Sequence, residues 1–145
     1  MSFWIIALLI CVALSPLAWL RPSSRQSRQM AQRLTARSMG LGMQLASETW
    51  PHWLQKEPPS RCPQYYRARR SGNEDQWCYW QVSAGQWLNQ WRELCVDERV
   101  LEQLQRLPAD VFRAESGQQM ISVFWGEGVE PQSLDNIAAV LDALA

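Results

Sequence analysis

FWIIALLICVALSPLAWL, residues Phe3 to Leu20, carries no charged side chain, and the seventeen residues that follow, Arg21 to Arg37, carry five arginines. Eighteen helical residues at about 1.5 Å each give roughly 27 Å, near the lower limit for a hydrocarbon core of about 30 Å. Trp4 and Trp19 stand near the two ends, where amphipathic rings prefer the headgroup level. Pro16 falls in the last turn or so, which a membrane helix tolerates. The stretch therefore reads as a membrane anchor, residues 1–20, whose partner is the lipid bilayer through residues 3–20. Two readings compete with it. A cleaved secretory signal needs a positive start and a small-x-small cut site, whereas Met-Ser-Phe-Trp is uncharged and Ala13-Leu14-Ser15 runs straight into Pro16. A buried core helix is the third reading.

Charge sets the expected orientation. Arg21, Arg25, Arg28, Arg33 and Arg37 all follow the apolar run, nothing basic precedes it, and no acidic residue occurs before Glu48. Positive flanks stay on the cytoplasmic side. The expectation is a single-pass protein of a bacterial inner membrane, with its N-terminus periplasmic and the rest of the chain cytoplasmic. Formal charge is zero, but residues 1–95 hold eleven basic and five acidic side chains, and residues 96–145 hold three and nine. A basic membrane-proximal half suits anionic lipid, while an acidic distal part stays solvated. Incidental surface charge explains the asymmetry equally well.

Residues 21–49 read as a basic juxtamembrane helix or stalk. Met30, Leu34, Leu41 and Leu45 fall on one narrow stripe at 100° per residue, with Arg21, Arg25 and Arg28 roughly opposite. Trp50-Pro51 ends this helix, because proline disfavours helical geometry in the residue before it. Residues 50–60, with the loop Lys56-Glu57-Pro58-Pro59-Ser60, form a linker.

Residues 61–145 are long enough for one small domain with a modest core. Gln64–Arg69 and Gln76–Ser83 look like two strands of a hairpin around Ser71-Gly72-Asn73-Glu74-Asp75. Trp87, Trp91 and Cys95 recur at four-residue spacing, which predicts a short helix over 86–95. Asp97 is placed to cap a helix running to about Leu107, where Pro108 stops it. Gln118–Trp125, QQMISVFW, is the clearest strand, and Pro131 and Ser133 open a final helix with Leu134, Ile137, Val140, Leu141 and Leu144 on one face. The expected soluble fold is thus α+β in two layers, with about three strands and three helices.

Specific catalytic patterns are missing from the sequence. It has no Walker loop, no G-x-G-x-x-G, no H-E-x-x-H and no G-x-S-x-G, and nothing in it calls for a cofactor or a metal. Cys62, Cys78 and Cys95 are spaced singly, and His52 is the lone imidazole, so a thiol-dependent enzyme using one of these cysteines with His52 as base is an alternative reading. The one concentrated feature is RCPQYYRARR, residues 61–70. Its arginines Arg61, Arg67, Arg69 and Arg70 are interleaved with Tyr65 and Tyr66. Arginine forks bind phosphate and aromatics stack on bases or sit at lipid interfaces. These six residues are the candidate contacts for a protein partner or anionic lipid, with Trp77 or Trp87 if exposed. Nucleic acid is the less favoured partner. A charge-protected strand edge is the bland alternative. The functional expectation is a membrane-anchored accessory or binding protein with a Trp- and Arg-rich interaction domain.

Overall fold

A computed structural model describes residues 2–20, 23–54, 58–70, 72, 75–128 and 130–145. The chain divides into two compact units, residues 1–31 and 32–145. In the first, helix α1 spans Ser2–Trp19 with Pro16 inside it and buries none of its residues against the protein. It is the one helix, among the described residues, long and apolar enough to cross a membrane.

Helix α2, Ser24–Ser38, begins in the first unit and ends in the second. The expected helix over 21–49 stops eleven residues early, because Gly40 adopts φ +86° and Leu41 N–H returns to the Ala36 carbonyl at 3.0 Å. A left-handed glycine just past a helix end satisfies its last carbonyls. The chain then enters strand β1, Gly42–Ala46. The expected stripe does not exist as a helical face: Leu41 is buried beyond the helix end, Leu34 is exposed, and Leu45 lies on a strand.

Among the described residues the domain holds six antiparallel strands rather than three. They are β1, β2 (Cys62–Ala68), β3 (Trp77–Ser83), β4 (Gln86–Leu88), β5 (Val111–Ser116) and β6 (Met120–Trp125), in the order β1-β2-β6-β5-β3-β4. Together with α1 and α2, helices α3 (Glu98–Leu104) and α4 (Pro131–Leu144) bring the described helices to four. The class is α+β, as expected, but the expected count of three strands and three helices is not met. The hairpin linking residues 64–69 to 76–83 is also not formed. β2 pairs with β1 and β6, while β3 pairs with β4 and β5, so β6 and β5 stand between them. Ser71, Asn73 and Glu74 of the expected turn, and Lys56 and Glu57 of the expected linker, lie outside the described residues. The helix expected over 86–95 is replaced by β4 and a turn, since Trp87 pairs across to Gln81 in the sheet.

Register explains the two faces. Residues directly opposite in an antiparallel pair share a face. Tyr65 with Val123, Val123 with Ala114, and Ala114 with Tyr79 line one face. There they meet Leu104, Ile137, Val140 and Leu141 of α3 and α4, along with Trp125 and Trp87, in a single buried cluster. α3 opens as expected, Asp97 Oδ1 accepting from the Arg99 N–H at 3.0 Å. The opposite face carries Gln64, Ser122, Phe124, Arg113, Glu115, Cys78 and Trp80 by the same register. Part of it is covered by the segment after β1. Trp50 packs edge-on against Phe124 (ring centroids 5.6 Å) and Phe112 (6.2 Å), and Trp53 against Trp80 (6.0 Å). Residues 50–54 therefore pack on the sheet, with Leu54 buried.

Candidate functional site

The face of the sheet turned away from α3 and α4 holds a cavity of about 580 Å³, lined by Cys78, Trp80, Trp91, Glu115, Met120 and Ser122 among others. Its position follows from the sequence. Cys78 and Trp80 on β3, Glu115 on β5 and Ser122 on β6 are alternate residues that the register puts on one face. Trp91 comes from the turn after β4.

Arg113 organises this face. Its Nε donates to Cys78 Sγ at 3.2 Å and its Nη1 to Glu48 at 3.5 Å, while Nη2 bonds the Glu115 carboxylate. The guanidinium also lies over the rings of Phe124 (5.0 Å) and Trp80 (5.4 Å), positions where a cation is attracted to the aromatic quadrupole. Glu115 accepts from Ser122 Oγ at 3.4 Å, Ser122 accepts from Gln64 Nε2 at 2.9 Å, and Gln64 accepts from Gln44 at 2.8 Å. A polar chain thus crosses the face from β5 to β1. Burial pushes the Cys78 thiol up, and the neighbouring Arg113 only partly opposes this. Cys62, fully buried, is pushed up to about 12, by desolvation first and by the nearby Glu127 second. Thiols so held are weak nucleophiles near neutral pH. His52, the proposed base, is exposed. Among the described residues no three His, Cys, Asp or Glu side chains converge as a metal site.

The RCPQYYRARR segment does not form one surface. Alternation along β2 sends Tyr65 and Tyr66 to opposite faces. Tyr65 is fully buried, in edge contact with Trp125 at 5.3 Å. Tyr66 lies half-buried across from Gly42, where any added Cβ would collide with its ring. Arg69 is nearly buried and holds Asp75 at 2.6 Å, with further bonds to the Asp75 carbonyl and Ser116. The same pairing holds Asp75 below its ordinary carboxylate value, with the Arg69 hydrogen bond as the main cause. Arg67 and Arg70 both reach Asp142 on α4, at 3.3 and 2.7 Å. Arg61 is exposed. Of the anchor residues, Trp4 and Trp19 are exposed on α1, Arg25 and Arg28 are exposed on α2, and Arg21 lies outside the described residues. Trp77 is half-buried and Trp87 is core.

Sequence reasoning missed a buried ionic cluster. Glu127, its side chain 1% exposed, accepts from Arg33 Nη2 and Nε at 2.7 and 2.9 Å and from the Tyr65 hydroxyl at 2.8 Å. Burial, and then the Glu127 carboxylate, raise the Tyr65 phenol, so it stays a donor. Gln32 and Asp110 hold the adjoining Gly128 through its carbonyl (2.9 Å) and its N–H (2.8 Å). Glu127 sits at φ +54°, a left-handed position that side chains enter at a cost. Gly126-Glu127-Gly128 reads in sequence as a solvated turn, and nothing local marks the carboxylate as buried. No protein-family model, no curated protein and no solved structure matches this chain.

Proposed function

We propose that the protein is a single-pass, membrane-anchored accessory or binding protein. Residues 3–20 cross a bacterial inner membrane, the N-terminus faces the periplasm, and the α+β domain works in the cytoplasm. The observation that carries this reading is α1, eighteen uncharged and mostly apolar residues of which none is buried. The five arginines after it support the orientation. All four cysteines are free, and two are core residues, which suits a reducing compartment. The binding role rests on the aromatic and polar cavity opposite the helices, since ligand sites are concave and combine apolar walls with a few polar groups. The arginines of residues 61–70 are less suited to it, because Arg67, Arg69 and Arg70 are already paired within the domain.

Topology tests the reading. Cys62 and Cys95 are buried and Cys78 is half-buried, so an exposed thiol is introduced as Glu102→Cys in a Cys11→Ala, Cys78→Ala background. A membrane-impermeant maleimide should label it only after permeabilisation. Labelling in intact cells would reverse the orientation. Release of the domain into the soluble fraction, with an N-terminus beyond residue 15, would mark a cleaved signal instead of an anchor.

A further inference from the structure

Among the described residues of the domain, five large apolar side chains are exposed: Leu34, Leu45, Trp91, Leu94 and Val96. Three of the five fall within the turn after β4, with Trp91 70%, Leu94 63% and Val96 91% exposed. The turn is tightly closed. Asn89 Oδ1 accepts from the N–H groups of Trp91 (3.0 Å) and Glu93 (2.9 Å), and the Asn89 N–H donates to the Glu93 carbonyl at 3.0 Å. Arg92 takes φ +61° and its guanidinium lies 5.9 Å from the Trp53 ring centroid. Cys95, between Leu94 and Val96, is buried in the core and pins the segment. The apolar side chains are therefore displayed by an ordered turn. Local charge offsets itself, Arg92 beside Glu93.

We infer that the turn Asn89–Val96 is a second membrane contact, in which Trp91, Leu94 and Val96 insert into the headgroup boundary of the bilayer that holds α1. This rests on the anchor reading. Two observations favour the bilayer as occupant. First, the anchor ends at Trp19 and the domain starts at Gln32. A domain of about 100 residues has a radius of gyration of only about 13 Å, and a lipid contact made by a domain tethered so closely is effectively intramolecular. Second, the side-chain set is tryptophan with aliphatics and no net charge, which suits interfacial insertion rather than attraction to anionic headgroups. β4 and β1 are the two edges of the sheet, so the contact stands at the edge away from the strand that follows α2.

The test is site-directed spin labelling of full-length protein in nanodiscs of zwitterionic lipid, in a Cys11→Ala, Cys78→Ala background, with the label at Val96→Cys. Collision with oxygen should exceed collision with an aqueous nickel chelate. The order should be reversed at Ala139→Cys, an exposed position on α4. Adding Trp91→Asp and Leu94→Asp should return the residue-96 label to the aqueous pattern, while the domain's near-ultraviolet circular dichroism persists. Raising salt should change nothing. A label at Leu14→Cys reports the anchor separately. Lipid exposure at 14 with water exposure at 96 would overturn this inference and leave the anchor standing. Water exposure at 14 would overturn both. Loss of the lipid pattern in high salt would replace insertion by electrostatic contact, and spin–spin broadening at 96 in discs holding two copies would make the turn a self-association surface; either overturns the inference.

Discussion

Arg33→Met isolates the worth of the buried ionic cluster. The substitution removes both guanidinium bonds from Glu127 and leaves its carboxylate, 1% exposed, with the Tyr65 hydroxyl as its remaining side-chain donor in this cluster. Removing one partner of a fully buried ion pair costs about 3–5 kcal/mol. The Arg33 side chain is itself 33% exposed, so part of the pair is already solvated and the expected loss is about 2–3 kcal/mol. That is a large share of a typical total of about 5–15 kcal/mol. Adding Glu127→Gly should recover stability: it removes the unpaired buried charge and relieves about 1 kcal/mol of left-handed strain at φ +54°. The double variant should therefore be more stable than Arg33→Met alone, a sign that no additive account gives. Urea unfolding of the full chain in micelles, followed by tryptophan emission, reads both effects. With a slope of about 1–3 kcal/mol per molar, the midpoint should fall by roughly 1–2 M for Arg33→Met and partly return in the double variant. A midpoint shift below about 0.3 M, or a double variant weaker than the single, would refute the reasoning.

Acid titration gives a second expectation. Arg69 depresses Asp75 in the folded state, so the stability it contributes is present above the unfolded carboxyl value of about 3.9 and is lost as pH falls through the lower folded value. Asp75→Asn should flatten that acid limb, and an unchanged limb by circular dichroism would exclude the pair as its source. Cys62, raised to about 12, should alkylate far more slowly than a free thiol at pH 8, as read by timed mass spectrometry; reaction at the rate of glutathione would contradict its burial. Asp97→Ala removes the α3 cap and should cost about 1 kcal/mol, whereas Asp97→Ser should cost little; equal losses in thermal melts would mean that the side-chain oxygen does not matter.

What the sequence determined by itself were the features written in local periodicity. The apolar run of α1, the alternation of β6, the Asp97 cap of α3 and the apolar face of α4 each depend on residues only a few positions apart. The end of α2 was also legible in Gly40, although the wider apolar stripe argued past it. Strand β5 was not legible, because its Arg113 and Glu115 break the apolar alternation and pair with each other on a face that only the sheet creates. β4 imitated a helix for a similar reason, since four-residue spacing of Trp87, Trp91 and Cys95 also suits a strand followed by a closed turn. Strand order was decided by the tertiary structure alone. Two strands joined by a turn-like segment read as a hairpin, yet β6 and β5 separate them, and pairing between distant segments leaves no mark in either one. The same long-range pairing scattered residues 61–70, sending Tyr65 into the core to meet Glu127 and tying Arg67 and Arg70 to Asp142 on α4. Charge and aromatic character were visible in the sequence, but whether Tyr65, Arg67 and Arg70 remain available depends on partners sixty or more residues away.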